Sequence, residues 1–355
     1  MADTKQLLYL ANMRGADIYV YDVETLEHIN TIEMLRIERE TDAVVIGEQS
    51  GAHRVAGKRT WAYQPDSFWP SPDGRILYAS RFLAPYEGAR ATREKGDLIA
   101  IDTATDEVLW SVEIIGHANH ITATPDAKKV FVPVRDRDYL EVVDTDKQEI
   151  VDRIACGWGP HGTEISHDGQ RVWAGTMWDD ALNAVDVDTH DLVHSITLGE
   201  AIRPFVVTKD EKKAYVQLSK MHGFQVVDIE AGRATQTVHL PPLPAGVELP
   251  TRVSYTVNHG MAMSDDEQTL IVAASAADYL AAYKLPEMDL LAEIPVGREP
   301  AYVHLSPDEK LVFTPNRKEN TLSFISTETW KELKRVPAGE YPNRMVAVNV
   351  PDRKI

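Results

Sequence analysis

Leu140-Glu-Val-Val-Asp144 is a short apolar strand that ends in an aspartate turn, and the pattern recurs along the chain at a fixed interval. It returns as Ile18-Tyr-Val-Tyr-Asp22, Leu98-Ile-Ala-Ile-Asp102, Leu182-Asn-Ala-Val-Asp186 and Phe224-Gln-Val-Val-Asp228, with degenerate copies at Leu280-Ala-Ala-Tyr-Lys284 and Leu322-Ser-Phe-Ile-Ser326. Asp102, Asp144, Asp186 and Asp228 stand 42 residues apart; Lys284 follows after 56, one period plus a 14-residue insertion, and Ser326 after another 42. A second turn keeps the same period: Ser71-Pro-Asp-Gly74, Thr124-Pro-Asp-Ala127, Ser166-His-Asp-Gly169, Thr208-Lys-Asp-Glu211, Ser264-Asp-Asp-Glu267 and Ser306-Pro-Asp-Glu309. Aspartate bonds its own backbone and glycine accepts positive φ, so these segments are hairpin turns between short strands.

Each unit therefore holds four strands, A to D, with Lys129–Val134 as a strand B and Glu149–Ile154 as a strand D. Four strands at a period near 42 make one blade of a β-propeller. Strand A begins near Asp66, Asn119, His161, Arg203, His259, Ala301 and Asn343, which predicts an all-β, seven-bladed propeller in a single domain, 1–355. The expected blades are 61–115, 116–157, 158–199, 200–240, 255–297, 298–338, and 339–355 joined with 7–34. The last strand A has no B to D after it and segment 7–34 has no A, so the two ends must complete one blade and remove a sheet edge.

The Gly157-Trp-Gly-Pro-His-Gly162 opening, the Ser-Pro-Asp-Gly turns and the Val142–Thr145 turn resemble the YVTN-type seven-bladed propellers, the group of the quinohaemoprotein amine dehydrogenase β-subunit-like folds. The resemblance spans nearly the whole chain and implies the fold. Its members include enzymes, electron-transfer partners and non-catalytic scaffolds, so it leaves function open.

Composition narrows the classes. With 43% hydrophobic and 26% charged residues in 355, the chain can bury a large core. A net charge of −18, spread along the sequence, argues against nucleic acid and against an anionic membrane surface. The single Cys156 excludes an internal disulfide and CxxC motifs. The start, Met1-Ala-Asp-Thr-Lys-Gln-Leu-Leu-Tyr-Leu-Ala, fits neither a signal peptide nor a membrane span, so a cytoplasmic location is expected. No GxGxxG opens a helix, and GxxxxGK[ST] and GxSxG are absent, which removes the sequence support for nucleotide-phosphate loops and a hydrolase elbow.

Three departures from the period, 35–60, 84–96 and 241–254, fall in D-to-A or B-to-C connections, all at the end of the channel where strand A begins. Long loops over one end of a rigid scaffold are where substrates usually bind. Counting back from each turn, position −25 holds Asn119, His161, Arg203, His259 and Ala301, with His120 one residue on; position −22 holds Thr122, Glu164, Val206, Ala262 and His304. Register repeated around a propeller points at one axis. His120, His161 and His259, with His304 as a further ligand, are the expected shell of a divalent transition metal, Fe, Cu, Zn or Mn, its rings oriented by Asn119 or Asn258. Glu164 and His304 are the expected catalytic groups, provided a bulge near Gly162 corrects the parity between the two positions. Arg203, Arg344, Asp66, Trp69, Trp158, Trp178 and Tyr302 are expected to hold a small-molecule substrate, the arginines gripping a carboxylate or pairing with Asp66 between blades. Trp61, Trp110, Trp173 and Trp330 are expected in blade cores.

The leading expectation is a metal-dependent enzyme at the top of the channel, acting by proton abstraction as a lyase or isomerase, or by metal-centred oxidation. It is similar in architecture to the virginiamycin B lyases, propeller eliminases that use His residues, a Glu and a divalent ion. A non-catalytic scaffold that presents its top face to a protein partner is the alternative, and it predicts apolar and aromatic residues exposed across that face. A lactonase-type hydrolase is the third.

Overall fold

The computed structural model describes residues 4–47, 51–85, 90–91, 95–247, 256–351 and 353, all in strands, turns and coil. Seven sheets form a ring, the seven-bladed propeller expected. Blade 2 is Thr122–Ala123, Lys129–Pro133, Tyr139–Asp144 and Glu149–Ala155; blade 3 is Pro160–Ile165, Arg171–Thr176, Ala181–Asp186 and Leu192–Thr197. Blades 4, 5 and 6 repeat the order from Ile202, Met261 and His304. In blade 7 the C-terminal strand Pro342–Pro351 pairs antiparallel with Thr4–Asn12, followed outward by Asp17–Asp22 and Glu27–Glu33.

The sequence motifs are the hydrogen bonds of the turns. In each A–B turn the Ser or Thr hydroxyl donates to the Asp two residues on and accepts the backbone N–H five residues on, as in Ser71 Oγ to Asp73 at 2.7 Å and Ile76 N to Ser71 Oγ at 3.0 Å. The fourth residue adopts positive φ whether it is Gly74, Ala127, Glu211 or Glu309, because the turn demands it. In the C–D turns Asp102, Asp144 and Asp186 each accept two backbone N–H groups. A bulge follows in every blade, as at Val142/Val143 and Phe324/Ile325, and strengthens the twist that lets the blades radiate.

The apolar core lies between adjacent blades. Leu7, Tyr9 and Ile18 of blade 7 pack on Leu77, Ile99 and Ile101 of blade 1, and the remaining interfaces follow suit. Trp61 and Trp173 are fully buried, whereas Trp110 and Trp330 lie partly buried against the blade cores. Arg353 closes the ring: it pairs with Asp106 of blade 1 at 2.6 and 2.5 Å and donates to Thr103 O, while Tyr9 of blade 7 also reaches Asp106.

Blade 1 departs from the pattern. Arg36–Gly47 and Gly51–Pro70 form one long hairpin that continues strand A beyond the ring, and Arg90–Ala91 pairs with its residues Val45 and Ile46. Segments 35–60 and 84–96 are thus joined parts of one sheet in their described residues, instead of two independent loops. Segment 241–247 is coil, and 248–254 lies outside the described residues.

Candidate functional site

Strand A of every blade starts at one end of the ring, with the B–C and D–A connections, and ends at the other, in the A–B turns. Near their starts His120, His161 and His259 meet at the axis, with ring centroids 4.3, 5.8 and 6.1 Å apart. Tyr302 of blade 6 completes the cluster: its hydroxyl lies 2.6 Å from His120 Nε2, and its ring is edge-on to His259 at 4.6 Å. His259 Nδ1 lies 3.2 Å from the Ala301 carbonyl, and His161 Nδ1 is buried with no partner. Strand A of blade 2 is tied to that of blade 3 here, through Thr163 Oγ1 to His120 O at 2.7 Å.

Burial, then the positive charge of Arg344, Arg203 and Arg317 and of neighbouring imidazoles, keeps all three rings well below the ordinary histidine pKa, so they are neutral. Arg203 is buried and donates to Ser219 Oγ at 2.8 Å. Arg344 donates to Ser67 Oγ at 3.1 Å and lies over the Tyr302 ring at 4.8 Å, with no ion pair to a described carboxylate. Asp66 accepts instead from Asn343. Among the described residues no group of three or more His, Cys, Asp or Glu side chains is arranged to hold a metal ion. Three neutral imidazoles are in the protonation state in which histidine ligates a metal, and Arg203, Arg317 and Arg344 add positive charge around them.

A cavity of about 1070 Å³ runs along the axis from this cluster, with His120, Tyr302 and Arg344 at its inner end. It reaches the A–B turns of blades 1, 2 and 6, opposite the end that carries the long hairpin. Phe68, Trp69, Phe205, Val206, Met261 and Val303 give it apolar walls. Glu164 and His304 line it from opposite sides of the ring, on blades 3 and 6. The bulge between Pro160 and Gly162 supplies the parity shift that lets both His161 and Glu164 turn to the axis.

The two groups are pushed in opposite directions. Burial raises the Glu164 carboxyl to about 8, against one backbone hydrogen bond from Val207 N at 3.1 Å. Burial, aided by Arg344, lowers His304 to about 4. At neutral pH the cavity therefore holds a protonated carboxylic acid and an unprotonated imidazole.

Of the aromatic residues expected together, Tyr302 and Trp69 line this cavity, while Trp158 and Trp178 stand about half exposed at the other end. The sequence places Trp69 wrongly because it ends strand A, two residues before the Ser71 turn, and not at its start. Asn258 orients His222, bonding it at 3.1 Å, and does not orient an axial ring. Sequence reasoning missed Ser67, Ser219 and Arg317, since hydroxyls and an arginine in a B–C turn carry no periodic signal.

No protein-family model matches the sequence, and no curated protein does. Solved structures match over the whole fold. A chain of Kuenenia stuttgartiensis hydrazine synthase is 19% identical with a TM-score of 0.64, over 90% of this chain and 92% of that one. The periplasmic gluconolactonase of Pseudomonas aeruginosa is 17% identical with a TM-score of 0.70, over 98% and 100%. A candidate 6-phosphogluconolactonase of Bacteroides fragilis is 15% identical with a TM-score of 0.68, over 98% of each chain. At these identities the likeness is one of fold.

Proposed function

We propose that this chain is a lactonase-type hydrolase whose reaction takes place in the axial cavity. The observation that carries the reading is the pairing of Glu164 and His304, two cavity groups whose pKa values are driven apart to about 8 and about 4. Two of the similar solved structures are lactonases by name, which directs the choice among hydrolases.

Ring opening of a lactone needs a base for water, an acid for the leaving oxygen and a cation for the oxyanion. Neutral His304 takes a proton as water adds to the carbonyl carbon. Arg344, without a described carboxylate partner, faces the negative charge that develops on the carbonyl oxygen. The carbon to ring-oxygen bond then breaks, and protonated Glu164 delivers its proton to that oxygen, giving a hydroxy acid. Solvent returns the proton from His304 to Glu164. Apolar walls around Phe205 and Met261 lower the local dielectric and strengthen each of these interactions.

The metal-centred lyase or oxidase expected from the sequence is the weaker reading, since arginines hold the imidazole cluster in a positive field. Metal analysis after incubation with Fe, Cu, Zn and Mn salts separates the two. A stoichiometric ion lost in His161→Ala/His259→Ala would favour the metal reading. The direct test is hydrolysis of gluconolactone followed in a pH-stat. Enzyme-dependent turnover that collapses in His304→Ala and Glu164→Gln is expected, and a rate equal to the spontaneous one would refute the proposal.

A further inference from the structure

The described large apolar side chains that reach solvent fall in two places. Val108, Leu109, Val151, Leu192, Val193, Leu290, Leu291 and Leu333 lie on outermost strands, where they are scattered around the ring. The others, Leu35, Ile115, Trp158, Trp178 and Val247, all lie in connections at the end where strand A begins. Among the described residues none lies in an A–B turn.

Two of these form a rigid pair. Gly159 adopts positive φ, and a Cβ there would meet the Trp178 indole at 2.1 Å, so the indole rests on bare backbone. Trp158 N donates to the Asp179 carboxylate, Trp178 N to Trp158 O at 3.3 Å and Met177 N to Gly159 O at 3.0 Å. These bonds fix the loop holding Trp158 against the loop holding Trp178. Trp158 remains 52% exposed and Trp178 47%, a large apolar area held at little entropic cost on binding.

Charge identifies what fits. Asp179 is exposed beside Trp178, and Asp136 and Asp138 are exposed in the adjoining B–C loop of blade 2, which accepts Gly159 N at the Arg137 carbonyl at 2.9 Å; none of the three forms an ion pair among the described residues. Arg137 turns to the carbonyl of Asp136, and Arg135 acts on the axial His161. Indole faces beside unpaired carboxylates attract ammonium and guanidinium groups by cation–π and Coulomb forces together. We infer that the Trp158/Trp178 platform is a docking surface for a basic, partly apolar segment of a partner protein. The cavity mouth lies at the opposite end, so docking and catalysis are separable.

A fluorescein-labelled peptide of alternating Lys and Leu, titrated with the full chain and read by anisotropy, tests this. Saturable binding is expected, weakened at least about tenfold in Trp158→Ala/Trp178→Ala and in Asp136→Asn/Asp138→Asn/Asp179→Asn, and weakened as salt rises from about 50 to about 500 mM. Trp158→Ser, which leaves the Gly159–Trp178 contact intact, with an unchanged melting curve, keeps the result independent of misfolding. Equal binding of a Glu-for-Lys peptide, or undiminished binding by the variants, overturns the inference. So does an indole fluorescence response to a neutral oligosaccharide, without salt dependence, in place of the peptide.

Discussion

The two ends of the propeller are built from the same strands and differ in almost everything else. At the A–B end each A–B turn repeats the same hydroxyl-to-aspartate bonds, and none of the described exposed large apolar residues lies in one of these turns. Turns there also lock to one another: the Glu267 carboxylate accepts Lys209 N, and Glu309 accepts Asp265 N, each from the preceding blade. At the other end the connections have individual lengths and sequences, and carry the long hairpin and the indole pair. The regular end frames the cavity mouth while the irregular end meets the outside, so regularity marks a scaffold and irregularity marks recognition.

The comparison is broken most severely inside the cavity. His304→Ala is expected to lower kcat about a hundredfold to ten-thousandfold, and Glu164→Gln similarly, measured on a lactone. Arg344→Met should cost about a hundredfold in kcat with a smaller change in KM, since its charge acts on the oxyanion. None of the three changes should alter peptide binding at the indole end, and a parallel loss there would show that the ends are coupled.

Stability sharpens the contrast next. Arg353→Ala leaves Asp106 buried and without its cation, which should destabilise the fold by about 3–5 kcal/mol in denaturant unfolding. Acidity acts more gently. Hydrolysis should follow a bell with limbs near pH 4 and pH 8, since His304 must be unprotonated and Glu164 protonated. Glu164 has its folded pKa above the unfolded value. Its contribution to stability is therefore complete below about pH 4.5 and lost as pH rises to about 8. Glu164→Gln should melt with less pH dependence over that window. Smallest is Thr124→Ala, which removes a turn bond to Asp126 and should cost about 1 kcal/mol.

The ring, its closure and the meeting of His120, His161 and His259 were legible because each rests on a period, and a period survives in sequence when strands stack around an axis. Glu164 and His304 were legible for the same reason, once Gly162 signalled a bulge. The cavity's direction was not: insertions 35–60 and 84–96 pointed to the opposite end, because length alone does not tell a covering loop from a hairpin that extends a sheet. Trp158 and Trp178 were visible as residues, but their separation from Trp69 depends on where each turn begins. Ionisation was hidden as well, since the shift at Glu164 arises from burial, which no local motif records.

Closure by Pro342–Pro351 on Thr4–Asn12 also sets an order of events in the cell. Thr4–Asn12 leaves the ribosome long before Pro342–Pro351, so through most of synthesis one of its edges has no partner, although its hairpin with Asp17–Asp22 can form at once. Blades 1 to 6 are complete along the chain and can form in sequence, each on its predecessor, while blade 7 must wait. A premature stop before residue 342 would leave the inner edge of Thr4–Asn12 open to intermolecular pairing. Degradation machinery that samples such edges would therefore distinguish finished from unfinished copies by a single missing strand.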